Sequence, residues 1–322
     1  MVLLSLVIAI VNGILVSVQS PTNAALSFKV GHTQATVISF AGGVIILFIV
    51  ALFSGHLPLL ANAAGLPAWQ FLGGLYGAFL IYIITYCAPH LGIALTLTII
   101  MLGQLSMGVV VDIFGLFQTE AVSVSFTRVL GILVVAVGLV LVYVSKRRDA
   151  AGGEGGSGSG STGSAGKKPI SKKALFFAFL AFLSGVGTAI QAPSNSALSE
   201  SVGFIDASLV NFTVGFLISL IACLFAKKGH FNSMRGRGIK PWMILGGLYG
   251  AIGVFCNTVA VTYLGVVLLM AALMFGQLAM AVVIDATGIL LSPKVKTDKY
   301  RVVGIICIAA GVALVTIARL WL

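Results

Sequence analysis

The sequence predicts an all-α membrane protein whose ten transmembrane helices form two five-helix repeats of inverted topology. Three observations predict this class: an apolar composition, ten apolar segments of membrane-spanning length, and blocks of sequence that recur in both halves. Of the 322 residues, 59% are hydrophobic and only 8% are charged, whereas soluble domains carry about 25% charged residues. So much apolar surface is typical of a protein whose solvent is lipid.

The apolar segments have the length of about 20 residues that a helix needs to cross a bilayer. The first half contains five, at residues 2–27, 33–54, 67–88, 91–115 and 127–145, and the second half contains five, at 174–198, 206–226, 241–262, 264–288 and 301–321. We therefore predict one unit over residues 1–148 and another over residues 169–322.

Between the two units, residues 149–168 include the run GGEGGSGSGSTGSAG. Such a composition is typical of a flexible Gly/Ser linker without a hydrophobic core. Two origins stay open: an engineered joint between two separate subunits, or a natural low-complexity linker.

Three blocks recur in the same order in the two halves, at a nearly constant offset. QSPTNAALS at 19–27 matches QAPSNSALS at 191–199 at six of nine positions, and WQFLGGLYGA at 69–78 matches WMILGGLYGA at 242–251 at eight of ten. MLGQLSMGVVVDIFG at 101–115 matches MFGQLAMAVVIDATG at 274–288 at nine of fifteen. Chance similarity between apolar segments does not reproduce Gln, Asn, Trp and Asp in place, so the halves are repeats.

The basic residues predict the orientation, because cytoplasmic loops hold most of the Lys and Arg residues. With the linker inside the cell, 17 of the 19 basic residues fall inside and only Arg128 and Arg319 fall outside. The first repeat then starts outside, the second starts inside, and both termini are extracytoplasmic. The net charge of +11 therefore indicates an anionic inner leaflet as the partner and not nucleic acid, in the inner membrane of a cell.

The tandem five-span units, with their paired GGLYGA and GQLxMxVVxD blocks, resemble the YdcZ-like family of the drug/metabolite transporter superfamily. The resemblance covers nearly the whole chain apart from the linker. It implies an exporter of small organic solutes without identifying the solute. Members of the superfamily often carry a membrane-embedded Glu for proton or cation exchange, and the predicted spans of this chain contain none.

Two acidic residues, Asp112 and Asp285, lie inside predicted spans, and the other acids, Asp206 among them, are expected in loops or the linker. An ionisable residue in a membrane is a candidate for an ion relay. However, Arg128 and Arg301 each follow one of these aspartates at the same spacing and at the same predicted membrane face. We therefore predict two structural ion pairs that hold neighbouring helices together.

Polar, uncharged residues recur at one predicted depth near the membrane centre. We predict that they line one substrate cavity between the repeats: Gln19, Asn23, Tyr76, Gln104, Gln191, Asn195, Tyr249 and Gln277. Each Gln has a second interpretation, since amides in hydrocarbon also hydrogen-bond neighbouring helices. Pro21 and Pro193 remove a helical N–H and predict a kink in spans 1 and 6.

The sequence contains no Ser/His/Asp set, HExxH motif, Walker loop or metal-ligand cluster, so we expect no enzyme, no cofactor and no metal. The predicted function is a secondary transporter or facilitator that exports a small neutral, zwitterionic or weakly charged organic solute by alternating access. A non-transporting membrane scaffold or assembly partner is the alternative. The mirrored polar residues favour the transporter, because a scaffold does not need them.

Overall fold

A computed structural model describes residues 1–55, 62–63, 65–91, 93–152, 172–225, 238–289 and 298–321. These residues form nine α-helices: α1 (Val2–Val30), α2 (His32–Phe53), α3 (Leu72–Leu91), α4 (Ile93–Phe114), α5 (Phe126–Gly152), α6 (Lys172–Val202), α7 (Phe204–Phe225), α8 (Gly246–Thr287) and α9 (Lys299–Trp321). Short 3-10 turns precede α3 at Ala68–Phe71 and α8 at Pro241–Ile244, and another follows α4 at Leu116–Gln118. The part of the chain that is described contains no β-strand.

Eight helical segments among the described residues are long and apolar enough to cross a membrane, and Ala68–Ile84 is a shorter apolar helix. The fold is therefore that of an all-α, multi-pass membrane protein. The longest segment, Pro241–Thr287, has 47 residues, more than twice the length that one crossing requires. It combines two segments that the sequence separates, 241–262 and 264–288, because no polar loop divides them.

The long helix α8 is broken at Gly265, whose backbone has φ 72° and ψ 174°. This conformation is essentially restricted to glycine. We call residues 246–264 and 266–287 the first and second arms of α8. The first residues of the second arm, 266–274, are all buried.

Most helix ends differ by a few residues from the predicted boundaries, and two differences involve charged residues. The helix α5 continues to Gly152, beyond the predicted start of the linker at residue 149, because Lys, Arg and Ala in this stretch favour a helix. The rest of the predicted linker lies outside the described residues. Asp206, expected in a loop, lies in the first turn of α7 and is fully buried. Pro21 and Pro193 lie inside α1 and α6, which continue to Val30 and Val202.

Helices from one half pack mainly on helices from the other half. The most extensive contacts join α1 to α8, α5 to α9, α4 and α3 to α6, and α2 to α7. Glycines permit this close approach. A Cβ atom on Gly13 would overlap the carbonyl oxygen of Leu273, and one on Gly185 would overlap that of Ile100.

The contacts of one half recur in the other at the offset of the sequence repeat. In α2 and α7, Phe40 and Phe212 meet at 5.4 Å between ring centroids. A Cβ on Gly43 would touch the ring of Phe212, and one on Gly215, the equivalent glycine of the second half, would touch the ring of Phe40. Each ring thus fills the space that the other half's glycine leaves open.

Candidate functional site

The predicted site residues of α1 lie against α2 and the start of α8. Gln19 Nε2 donates to the carbonyl oxygen of Gly246 at 3.1 Å. The hydroxyl of Ser39 donates to Asn23 Oδ1 at 3.3 Å. Asn23 also lies directly over Gly246, where a Cβ would overlap its Oδ1. These two amides connect helices.

The equivalent residues of α6 form a chain of side-chain amides with α7. Gln191 Nε2 donates to Asn211 Oδ1 at 3.4 Å, and Asn211 Nδ2 donates to Asn195 Oδ1 at 2.9 Å. In α3, Gly73 leaves room for this chain, because a Cβ there would overlap Asn195 Oδ1. Asn195 and Asn211 are buried and Gln191 is half-buried.

Gln104 of α4 also reaches α6, where its Nε2 donates to the hydroxyl of Thr188 at 3.0 Å. Its counterpart Gln277 is placed differently: its backbone oxygen accepts from Ser17 at 2.5 Å. The difference arises because Val16 occupies the position in α1 that Thr188 occupies in α6, and valine offers no hydrogen bond to a glutamine.

The two predicted tyrosines are both half-buried. The ring of Tyr76 packs on Gly187 of α6, where a Cβ would come within 2.7 Å of the ring. In the other half, the residue that corresponds to Gly187 is Leu15 of α1, and the tyrosine that corresponds to Tyr76 is Tyr249. The close contact of Tyr76 with a glycine therefore has no counterpart at Tyr249.

A polar cavity lies between α6 and the first arm of α8. It is lined by Thr188, Gln191, Ala192, Asn195, Val254 and Asn257, all of which belong to the second half of the chain. Of the eight predicted residues, Gln191 and Asn195 line it, and Gln104 reaches it through Thr188. The other five lie elsewhere in the helix contacts. Its free volume is about 10 Å³, which is room for about one water molecule. Ligand pockets usually measure about 300–1,000 Å³, so the cavity is too small for an organic solute in this conformation.

Asn12 of α1 hydrogen-bonds Asn257, one of the lining residues. Its Nδ2 donates to the carbonyl oxygen of Gly253 at 3.0 Å and to Asn257 Oδ1 at 2.7 Å, and its side chain is fully buried. The first and second halves of the chain thus meet at Asn257. Among the described residues, no charged side chain lines the cavity.

A family model described as "Putative inner membrane exporter, YdcZ" matches the chain twice, over residues 4–141 and 176–314. The chain belongs to this family. It is accordingly a multi-pass protein of the inner membrane, built from two tandem copies of the family unit, and the family description makes it a transporter.

A solved crystal structure of a protein has the same fold: it matches 98% of this chain and 96% of its own, with a TM-score of 0.68 and 14% sequence identity. At this identity, the likeness concerns the fold alone. No curated protein shows significant sequence similarity to the chain.

Outside the cavity, the structure of this family member pairs both membrane-embedded aspartates with arginines. Arg128 contacts Asp112 through its Nη2, and Arg301 Nη2 lies 2.5 Å from Asp285 Oδ2. Asp112 also accepts hydrogen bonds from two backbone N–H groups at the start of the second arm of α8, from Val266 at 2.7 Å and from Val267 at 3.0 Å. Within the described residues, no group of His, Cys, Asp or Glu side chains could hold a metal ion.

Sequence reasoning missed three asparagines of the site: Asn12, Asn211 and Asn257. Each of them is an amide side chain inside an apolar segment, which indicates a buried hydrogen bond, because an amide in hydrocarbon must find a partner. The repeat hid them, because Ser184, Ser39 and Ile84 occupy the equivalent positions in the other half. The comparison of the two repeats therefore does not indicate these three asparagines.

Proposed function

We propose that this protein is a secondary transporter or facilitator that exports a small neutral, zwitterionic or weakly charged organic solute. The observation that carries the proposal is the uncharged polar cavity between α6 and α8 of the second half, whose lining residue Asn257 accepts a hydrogen bond from Asn12 of the first half. Transporters built from repeats bind their substrates near the repeat interface and the middle of the membrane, and the contact between Asn12 and Asn257 joins the two repeats beside this cavity. We expect no enzymatic activity.

The transport cycle follows from the size of the cavity and the way the halves interlock. A free volume of about 10 Å³ corresponds to a closed state, so solute entry requires the helices around the cavity to separate on one side. At the glycine contacts, such as that of Gly13 with Gly276, few side chains interlock, so the helices can move past one another there. We infer that rocking at these contacts opens the cavity to each side in turn.

We further propose ten membrane spans in two inverted repeats, with both termini outside. Counting the arms of α8 separately gives five helices in each half, so similar halves joined by a cytoplasmic linker run in opposite directions. The antiparallel crossing of α5 and α9 supports this. Gly131 faces Gly311 and Gly138 faces Gly304, so the two helices run in opposite directions.

Thiol labelling tests the topology. In a variant without the four native cysteines, Glu120→Cys is expected to react with an impermeant thiol reagent added to intact cells. Lys299→Cys is expected to react only after the membrane is opened. Labelling of both positions from the same side contradicts the inverted arrangement.

A ligand screen with matched variants tests the transport site. We expect a thermal-shift screen of small metabolites to find solutes that stabilise the purified protein, because a ligand that binds the folded state raises its apparent stability. Gln191→Leu is expected to abolish this stabilisation. Gln19→Leu, the equivalent change away from the cavity, is expected to preserve it. If no solute stabilises the protein or crosses a reconstituted membrane, the scaffold alternative gains support.

A further inference from the structure

The hydrogen bonds around Asn257 determine which atoms this residue offers to the cavity. Asn12 Nδ2 donates to the carbonyl oxygen of Gly253. Because a backbone carbonyl can only accept, the amino group of Asn12 must lie on that side. Asn257 therefore accepts a hydrogen bond from this amino group through its own side-chain carbonyl oxygen, at 2.7 Å. Its Nδ2 amino group makes no hydrogen bond to the described residues and remains available in the cavity.

The α6 wall contributes one further free amino group and one free amide oxygen. Asn195 uses its Oδ1 to accept from Asn211, which leaves its Nδ2 without a bond to the part of the chain that is described. Gln191 uses its Nε2 on Asn211 and keeps Oε1. The hydroxyl of Thr188 accepts from Gln104 and donates to the carbonyl oxygen of Gly185 at 2.9 Å, so it has no proton left to donate.

The remaining hydrogen-bonding capacity is therefore unequal. The lining residues are left with two free amide amino groups, on Asn195 and Asn257, and with one amide oxygen, on Gln191, as the main free acceptor. Each amino group carries two N–H donors. A buried donor that stays unsatisfied costs about 1–3 kcal/mol, so a ligand that supplies acceptors gains the most.

We infer that this cavity binds the hydrogen-bond acceptor of its solute, a carbonyl or a single carboxylate group, through the amino groups of Asn257 and Asn195. The inference rests on the proposed function, in which this cavity is the solute site. A solute with an amide or a carboxylate end is favoured, a zwitterion included. A simple amine is disfavoured, because its ammonium group would face two amino groups and one acceptor.

Both donor residues, Asn195 and Asn257, belong to the second repeat. Ile84 stands where the repeat would place a second Asn257, and Val16 stands in place of Thr188. The mirror-image position between α1 and α3 therefore lacks this wall. Asn257 is consequently the residue that determines specificity, and Ile84 is the natural control position.

Three probes with one carbon skeleton test the inference: butyrate, butyramide and butylammonium. In a variant without native cysteines, Val254→Cys places a thiol on the cavity wall, and each probe is assayed for protection of that thiol from a small methanethiosulfonate reagent. We expect butyrate and butyramide to protect at about tenfold lower concentration than butylammonium, which corresponds to one hydrogen bond of about 1.4 kcal/mol.

Substitutions at Asn257 then test the assignment of the donor. Asn257→Asp keeps the acceptor that Asn12 requires and replaces the free amino group by an oxygen, so we expect the preference to shift toward butylammonium. Ile84→Ala is expected to leave the preference unchanged. If Asn257→Asp does not fold, Asn195→Asp provides the same exchange on the opposite wall.

Equal protection by the three probes, stronger protection by butylammonium, or an unchanged preference in both Asp variants overturns the inference. Absence of protection by every probe also overturns it. None of these results affects the proposed function, which fails separately if no solute of any class stabilises the protein or crosses the membrane.

Discussion

The two membrane-embedded ion pairs come from repeated sequence but lie in different surroundings. Asp112 and Arg128, like Asp285 and Arg301, join consecutive membrane helices, and the sequence separation is the same in both pairs. The side chain of Asp112 is 1% exposed, whereas that of Asp285 is 28% exposed. Both arginines are buried. The same residue pair is thus fully enclosed in one half and open on its acidic side in the other.

The partners of the two aspartates explain this difference. Asp112 holds Arg128 and also accepts from the backbone of Val266 and Val267, which are the first residues after the break in α8. It therefore caps the N-terminus of the second arm, where N–H groups lack helical partners. Asp285 bonds to Arg301 alone among the described residues. Two sites with equal sequence can thus differ in how many elements they connect.

The largest expected effect is that of Asp112→Asn. Removal of one partner from a buried ion pair costs about 3–5 kcal/mol, because the other charge stays buried. We expect a loss of this size in the free energy of unfolding, measured by denaturation in mixed detergent micelles. Asp285→Asn is the matched comparison: it also leaves a buried arginine, but Asp285 has no backbone hydrogen bonds to lose among the described residues, so we expect a loss at the lower end of the same range, about 3 kcal/mol. Equal losses would show that the additional backbone bonds of Asp112 contribute little.

A double-mutant cycle of Asp112→Asn with Arg128→Gln sharpens the same comparison. Residues in direct contact show interaction energies of about 0.5–3 kcal/mol, and we expect the first pair near the upper end. The corresponding cycle of Asp285→Asn with Arg301→Gln is expected to give less, because water can solvate the half-open carboxylate. A stable Asp112→Asn protein that loses only ion-driven transport would instead assign Asp112 to an ion relay.

The sequence predicted the helical membrane fold and the tandem repeat, because lipid restricts the choice to apolar helices and the blocks recur at a nearly constant offset. The pairing of each aspartate with an arginine was also foreseen, since the short segment between them spans one helical hairpin. The backbone partners of Asp112 were not, because Gly265 and the residues after it lie in the other half of the chain. Asn257 was missed for a related reason: its partner Asn12 lies in the other half, and neither residue is repeated.

The break in α8 provides the third prediction. Gly265→Ala places a side chain at φ 72° and ψ 174°, with its Cβ 3.1 Å from both carboxylate oxygens of Asp112. Such backbone strain costs about 1–3 kcal/mol. We expect a lower free energy of unfolding in the same detergent assay. Gly42→Ala is the control: a Cβ there meets nothing within 4 Å, and alanine in a helix stabilises by about 0.5–1 kcal/mol. Similar effects at both glycines would mean that the break is not held in its present conformation.

The smallest effect is expected for Glu120→Gln. Glu120 lies 3.7 Å from Arg319, but its side chain is 88% exposed. Exposed pairs contribute little, because water solvates both charges and salt screens them. We expect the free energy of unfolding to change by less than about 0.5 kcal/mol, and we expect this difference to decrease further when salt is added. The variant has the same chemical change, carboxylate to amide, as Asp112→Asn, so the difference between the two losses measures burial and the number of partners. A loss at Glu120 that approaches that at Asp112 would contradict the view that enclosure, and not the mere presence of an arginine, makes the first ion pair stabilising.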